Sequence, residues 1–277
     1  MKVFRGLLAA ALLLAAAARG GAQELPPRLA DRFTEGVTAL KSGELDAAER
    51  AFRDVLAAGG NRAFVHHNLG IVLEQRGRHD GALVEFRAAS KLDPSFAPAR
   101  LMAGSTLLAL GRPKEAIPEL RRAVRLMPGE TAPHEQLATA FERTGDIGGI
   151  VDEYRRLVAL APKNEEYAYR LGKAYLKLAQ WSYERLRAVD PDSARLSQAL
   201  GEQQLAQGRP DLALQSFTRA AEQDPSLVDV HLALARLQYD ARRWDEAAAE
   251  AERALALAPE SVVAARMKAA IQAARGR

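Results

Sequence analysis

Apolar residues along most of this chain recur at steps of three and four, the period at which side chains return to one face of an α-helix. Between residues 63 and 96, Val65, Leu69, Gly70 and Leu73 make one such stripe, and Ala82, Leu83, Phe86 and Ala89 make a second. Gly77 stands between the stripes and Pro94 closes the second. A glycine takes the positive φ that stops a helix, and a proline lacks the N–H that would prolong one. The stretch therefore predicts two helices joined by a turn.

The punctuating residues repeat that unit along the chain. Pro94, Pro128 and Pro162 are spaced by 34 residues, and so are Pro191, Pro225 and Pro259. Gly43, Gly77, Gly111 and Gly145 keep the same interval, 17 residues ahead of the proline wherever that proline exists. Asp46, Asp80, Asp211 and Asp245 follow the mid-repeat turn, where a negative charge suits the start of a helix. Pro113 and Pro210 sit beside the same point, as a first-turn proline should. A period of this length marks helix pairs stacked side by side, each burying a face that it cannot bury alone.

The residues resemble the tetratricopeptide repeat family, whose 34-residue unit carries small, aromatic and proline positions in a fixed order. Unit two matches with Leu69, Gly70, Gly77, Ala82, Phe86, Ala89 and Pro94, and unit six with Leu200, Gly201, Gly208, Ala213, Phe217, Ala220 and Pro225. Unit three offers Gly104, Gly111, Ala116, Leu120, Ala123 and Pro128; unit seven keeps Ala235, Ala247, Ala254 and Pro259 but has Arg242 at the glycine position. Unit one has Gly60 in place of the proline. The resemblance covers nearly all of residues 29 to 261. It implies an all-α, right-handed superhelical solenoid of about seven helix-turn-helix repeats, closed by a capping helix over 262–277.

Two departures divide the array. Between Pro162 and Pro191 the spacing falls to 29, and the missing residues are the turn of unit five. Leu171, Tyr175, Leu178, Ser182, Leu186 and Val189 keep a helical stripe across the gap, which predicts one fused helix from about Glu166 to Val189. A tight kink near Gln180 that restores a hairpin is the alternative. Just upstream, Gly148 and Gly149 open the second helix of unit four, at a cost of about 1 kcal/mol each relative to alanine. Residues 145 to 190 are therefore expected to join, as a flexible connection, a first array over 23–162 and a second over 194–261, with the atypical repeat at 163–193.

The chain opens with Lys2 and Arg5, an apolar run from Leu7 to Ala18, and the small residues Gly20, Gly21 and Ala22. That layout predicts a signal peptide over 1–22, cut near Ala22, and hence an exported, periplasmic or secreted protein. A cut after Ala18, or an uncleaved anchor, is the other option. The apolar run falls short of the roughly 17 to 25 residues of a spanning helix, so no membrane span is expected in the mature chain. No cysteine occurs, which excludes disulfides and a lipid-modified N-terminal cysteine. Loss of Lys2, Arg5 and Arg19 with the leader leaves 36 basic against 35 acidic side chains, too even a balance for a nucleic-acid partner.

Catalytic constellations are missing from the sequence. There is no cysteine nucleophile, no glycine-rich phosphate loop and no nucleophile elbow. His134 and Glu135 start what could be a zinc helix, but the residue four on from His134 is Ala138. His66, His134 and His231 share the fourth repeat position. Equivalent helices stack roughly 8 to 10 Å apart, so these histidines cannot share a metal, and half-buried packing is the expected role. His67 and His79 need no more than loop or surface roles. Neither an enzyme activity nor a cofactor is expected.

In proteins of the resembled family the first helices line a concave face, and fixed positions on them touch a ligand. Carried over, these are Phe33, Val37 and Leu40 in unit one; Phe64, His67, Asn68 and Ile71 in unit two; Leu101, Met102, Ser105 and Leu108 in unit three; and a polar set including Glu135, Gln136, Thr139, Glu142 and Arg143 in unit four. Of the family's clamp for an acidic C-terminus only Asn68 matches. The resemblance thus implies a protein or peptide partner with an apolar helical or extended segment, and a scaffold in cell-envelope assembly. A chaperone-like subunit of a periplasmic enzyme complex is the alternative. Cover of this groove by residues 23–28 or by the chain's own packing is the competing expectation.

Overall fold

The computed structural model describes residues 25–276; the expected leader over 1–22 lies outside them. Among the described residues all regular structure is helical, in fourteen α-helices. The chain divides into two compact units, the first ending at Lys177 and the second starting at Leu178.

Unit one holds α1 (Pro27–Ser42), α2 (Leu45–Ala57), α3 (Ala63–Gln75), α4 (His79–Leu92), α5 (Ala97–Ala109), α6 (Pro113–Leu126), α7 (Thr131–Thr144) and α8 (Ile147–Leu160), with the first half of α9 (Glu165–Val189). Each odd-numbered helix from α1 to α7 pairs with the next as a hairpin, and the second helix of each of the first three hairpins packs on the next hairpin. Neighbouring first helices, α1 with α3, α3 with α5 and α5 with α7, also touch. Unit two continues with α10 (Ala194–Ala206), α11 (Pro210–Gln223), α12 (Val228–Asp240), α13 (Trp244–Leu257) and α14 (Val262–Arg275). The hairpins α10–α11 and α12–α13 stack, and α14 lies against α13 and α12 as the expected cap, burying Ala264 and Ile271.

One packing rule recurs inside the hairpins. The glycine of the first helix lies under a large side chain sixteen positions later on the second: a Cβ on Gly36, Gly70, Gly104 or Gly201 would fall 2.4–2.9 Å from Phe52, Phe86, Leu120 or Phe217. These four large side chains are at most 1 % exposed. The mid-repeat turns need the left-handed region, and Gly77 sits there at φ 73°. Arg242 holds the same conformation at φ 58° without a glycine's freedom.

The fifth repeat is one continuous helix, α9, 25 residues long and unbroken at Gln180. Nothing after Gly172 can stop it, since the turn with its glycine is missing. One of the two upstream glycines has a structural reason of its own. Gly149 donates its backbone N–H to the Asp146 carboxylate at 3.0 Å, which caps α8. It also lies against the ring of Phe141, where a Cβ would come within 2.6 Å.

Candidate protein-binding groove

The first helices α1, α3, α5 and α7 bring the expected ligand positions together within the first compact unit, and their contact with one another decides how open those positions are. Phe33, Leu40, His67, Asn68, Ile71, Met102, Ser105 and Leu108 are buried. Val37, Phe64, Leu101 and Gln136 are half-buried, and Arg143 is exposed. Most of the anticipated apolar floor is therefore core, covered by the chain's own packing. Phe33 meets Phe64 edge-on at 5.0 Å between ring centroids and Phe52 at 5.5 Å. The Asn68 amide donates to the Phe64 carbonyl at 2.7 Å, so it is engaged within its own helix.

His67 corrects the expectation of a surface role. Its ring lies 5.6 Å from that of Phe86 and 5.2 Å, edge-on, from that of Phe96. Neither of its nitrogens has a hydrogen-bond partner. Burial lowers its pKa to about 4, so the ring is neutral at ordinary pH and behaves as a core aromatic.

The row turns polar and open along α7. Glu135 accepts from the Tyr167 hydroxyl, and Arg143 donates to the Leu108 carbonyl. The Tyr154 hydroxyl donates to Glu142 at 3.0 Å, and Arg170 reaches the same hydroxyl at 3.2 Å while pairing with Glu166 at 2.5 Å. Burial pushes Tyr154 up to about 12, which keeps it a hydrogen-bond donor. The bond to Glu166 raises the Arg170 guanidinium further above its ordinary value, so it stays charged between the Glu166 and Glu142 carboxylates.

The histidines at the fourth repeat position do more than fill space. His66 meets Glu85 at 2.6 Å, His134 meets Glu153 at 2.6 Å, and His231 meets Glu250 at 2.7 Å, each across its own hairpin. In unit three Arg100 makes the same pair with Glu119 at 2.7 Å. A carboxylate can only accept, so each histidine contributes Nδ1–H and the pair pins the two helices together. The signal was in the sequence as a spacing of 19 between a basic residue and a glutamate, repeated in four units. Among the described residues no three His, Cys, Asp or Glu side chains converge to hold a metal ion, and no helix is long and apolar enough to cross a membrane. An open cavity of about 600 Å³ in the second compact unit borders Leu234, Gln238 and the His231–Glu250 pair, whose polar atoms are already engaged with each other and with the Pro225 carbonyl.

Comparison with known proteins follows the same periodicity. A tetratricopeptide repeat profile matches residues 33–94, 67–131 and 177–227, more than half of the chain, and a second tetratricopeptide repeat profile matches 204–271. The small glutamine-rich tetratricopeptide repeat-containing protein 2 of Mycosarcoma maydis is 28% identical over 109 residues, 39% of this chain and 31% of that protein. The tetratricopeptide repeat and J domain-containing co-chaperone DNJ1 of Cryptococcus neoformans is 23% identical over 201 residues, 67% of this chain and 38% of that protein. The chain thus spans about a third of the length of the curated relatives it matches. Among solved structures, a tetratricopeptide repeat protein from Parabacteroides merdae is similar in fold, with a TM-score of 0.50 and 11% identity over 89% of this chain and 100% of that one. A repeat signature over most of its hairpins, in sequence and in packing, makes this chain a member of the tetratricopeptide repeat family.

Proposed function

We propose that the first compact unit holds a segment of another protein along α1, α3, α5 and α7, and that the chain acts by binding rather than by chemistry of its own. Tetratricopeptide repeats are protein-interaction scaffolds, which present a face built from successive first helices. The observation that carries the reading is the gradient along that face: half-open apolar side chains at Val37, Phe64 and Leu101, then the half-open Gln136 and the open, charged Glu142 and Arg143. An amphipathic helix or extended segment with one or two apolar anchors, followed by hydrogen-bonding groups, fits this gradient. A curated relative is itself named a co-chaperone, which supports a role in holding another polypeptide. The leader-like residues 1–22 support action outside the cytoplasm, in assembly at the cell envelope.

Selection of displayed peptides on the purified mature chain tests the groove. Enriched peptides are expected to carry apolar anchors, and Leu101→Asp is expected to weaken them by about tenfold or more, the scale of one partly buried anchor. Arg143→Glu should shift the preferred charge at one end of the peptide. Peptides that bind both variants as tightly as the parent, with the helical circular dichroism spectrum unchanged, would place the binding face elsewhere.

A further inference from the structure

The fifth repeat retains both halves of the hairpin packing rule and satisfies neither. By position its pair is Gly172 and Tyr183, yet a Cβ on Gly172 would meet nothing within 4 Å. Tyr183 is only half-buried, its hydroxyl donating to the Ala199 carbonyl at 3.0 Å, whereas Phe52, Phe86 and Phe217 at the same position are at most 1 % exposed. Gly172 and Tyr183 stand eleven residues apart on one continuous helix, about 16 Å along its axis, so neither reaches the other within a chain.

The face that carries Gly172 also carries Tyr169, Tyr175, Leu176 and Ala179 at helical steps, and all of them are exposed, Tyr169 at 62 %, Tyr175 at 46 % and Leu176 at 72 %. Tyr167 and Ala174, on the other side of α9, are the buried ones. A large apolar surface on a helix is normally covered.

We propose that α9 pairs antiparallel with α9 of a second copy about a two-fold axis near Lys177 and Leu178, so that Tyr183 of each chain fills the Gly172 socket of the other. Two fused helices then rebuild two hairpins, each made of one half from either chain. The shortened turn favours this exchange, because it removes the hairpin within a chain and leaves the contact between chains intact. The register follows from the two socket contacts, and the charges agree with it. In that register Lys173 falls within a turn of Glu184 of the other copy, on the same side of the contact and twice by symmetry. Paired over its 25 residues, a helix about 37 Å long covers on the order of 1,000 Å² over both copies, where specific interfaces begin. The groove reading concerns other helices and stands or falls separately.

Light scattering on the mature chain after size exclusion tests the pairing, with a dimer expected. Gly172→Glu points into open space in the single chain, so its helicity should be unchanged while the dimer dissociation constant rises by on the order of 100-fold, the scale for burying an unpaired charge. The chain lacks cysteine, so Ala179→Cys, near the axis, is expected to form a disulfide-linked dimer under mild oxidation, and Trp181→Cys, on the opposite face, is not. A mature chain that is monomeric at high micromolar concentration overturns the proposal. A dimer indifferent to Gly172→Glu, or equal cross-linking at the two positions, overturns it as well.

Discussion

His67 shows how much a single side chain can depend on its neighbours. The ring is buried and unpartnered, and its pKa falls to about 4, below the ordinary 6.5, because burial disfavours the charged form. The unfolded chain therefore binds a proton that the folded chain refuses. The contribution of neutral burial is complete above pH 6.5 and is lost as pH falls toward 4, by about 3 kcal/mol in all. His67→Phe should flatten the pH dependence of urea unfolding across that window. If the variant and the parent lose stability in parallel between pH 6.5 and 4, His67 is not the group responsible. From the sequence this residue reads as isolated, since the ring that closes over it, Phe96, lies at the far end of the repeat, beyond the second helix.

At the scale of the helix pair, the Glu partners of the fourth-position basic residues hold hairpins together from inside. Glu153→Ala leaves His134, 4 % exposed in its side chain, without its acceptor, and should cost about 1–3 kcal/mol. His134→Phe combined with Glu153→Leu removes both polar partners and should recover much of that loss, since neither group is then buried unpaired. Thermal or denaturant unfolding of the single and double variants measures the coupling, and additive losses would show the pair to be idle. The hairpin glycines and turn positions could be read directly from periodicity. The pins could have been, because a spacing of 19 follows from antiparallel helices of fixed length, but a single histidine and a distant glutamate mean nothing alone, and only their recurrence in four repeats carries the signal.

Across the whole molecule, the export reading makes a direct prediction: the protein recovered from outside the cytoplasm should begin at Gln23, as read by intact mass or N-terminal sequencing. Recovery with Met1 retained, inside the cell, would remove both the location and the envelope role proposed from it. The 34-residue interval of prolines and glycines, with stripes at steps of three and four, determined on its own that this chain folds into helix hairpins and that the fifth turn is lost, because helix breaking and helical period are local properties of the backbone. Tertiary structure alone decided which ligand positions stay open. Ile71, Met102 and Leu108 look like a binding floor in sequence, yet they are buried, because contact among neighbouring first helices takes up the same apolar surface that a partner would use. The same holds for Gly172: its residue type announces a close approach, and only the unbroken run of α9 reveals that no side chain of its own chain makes it.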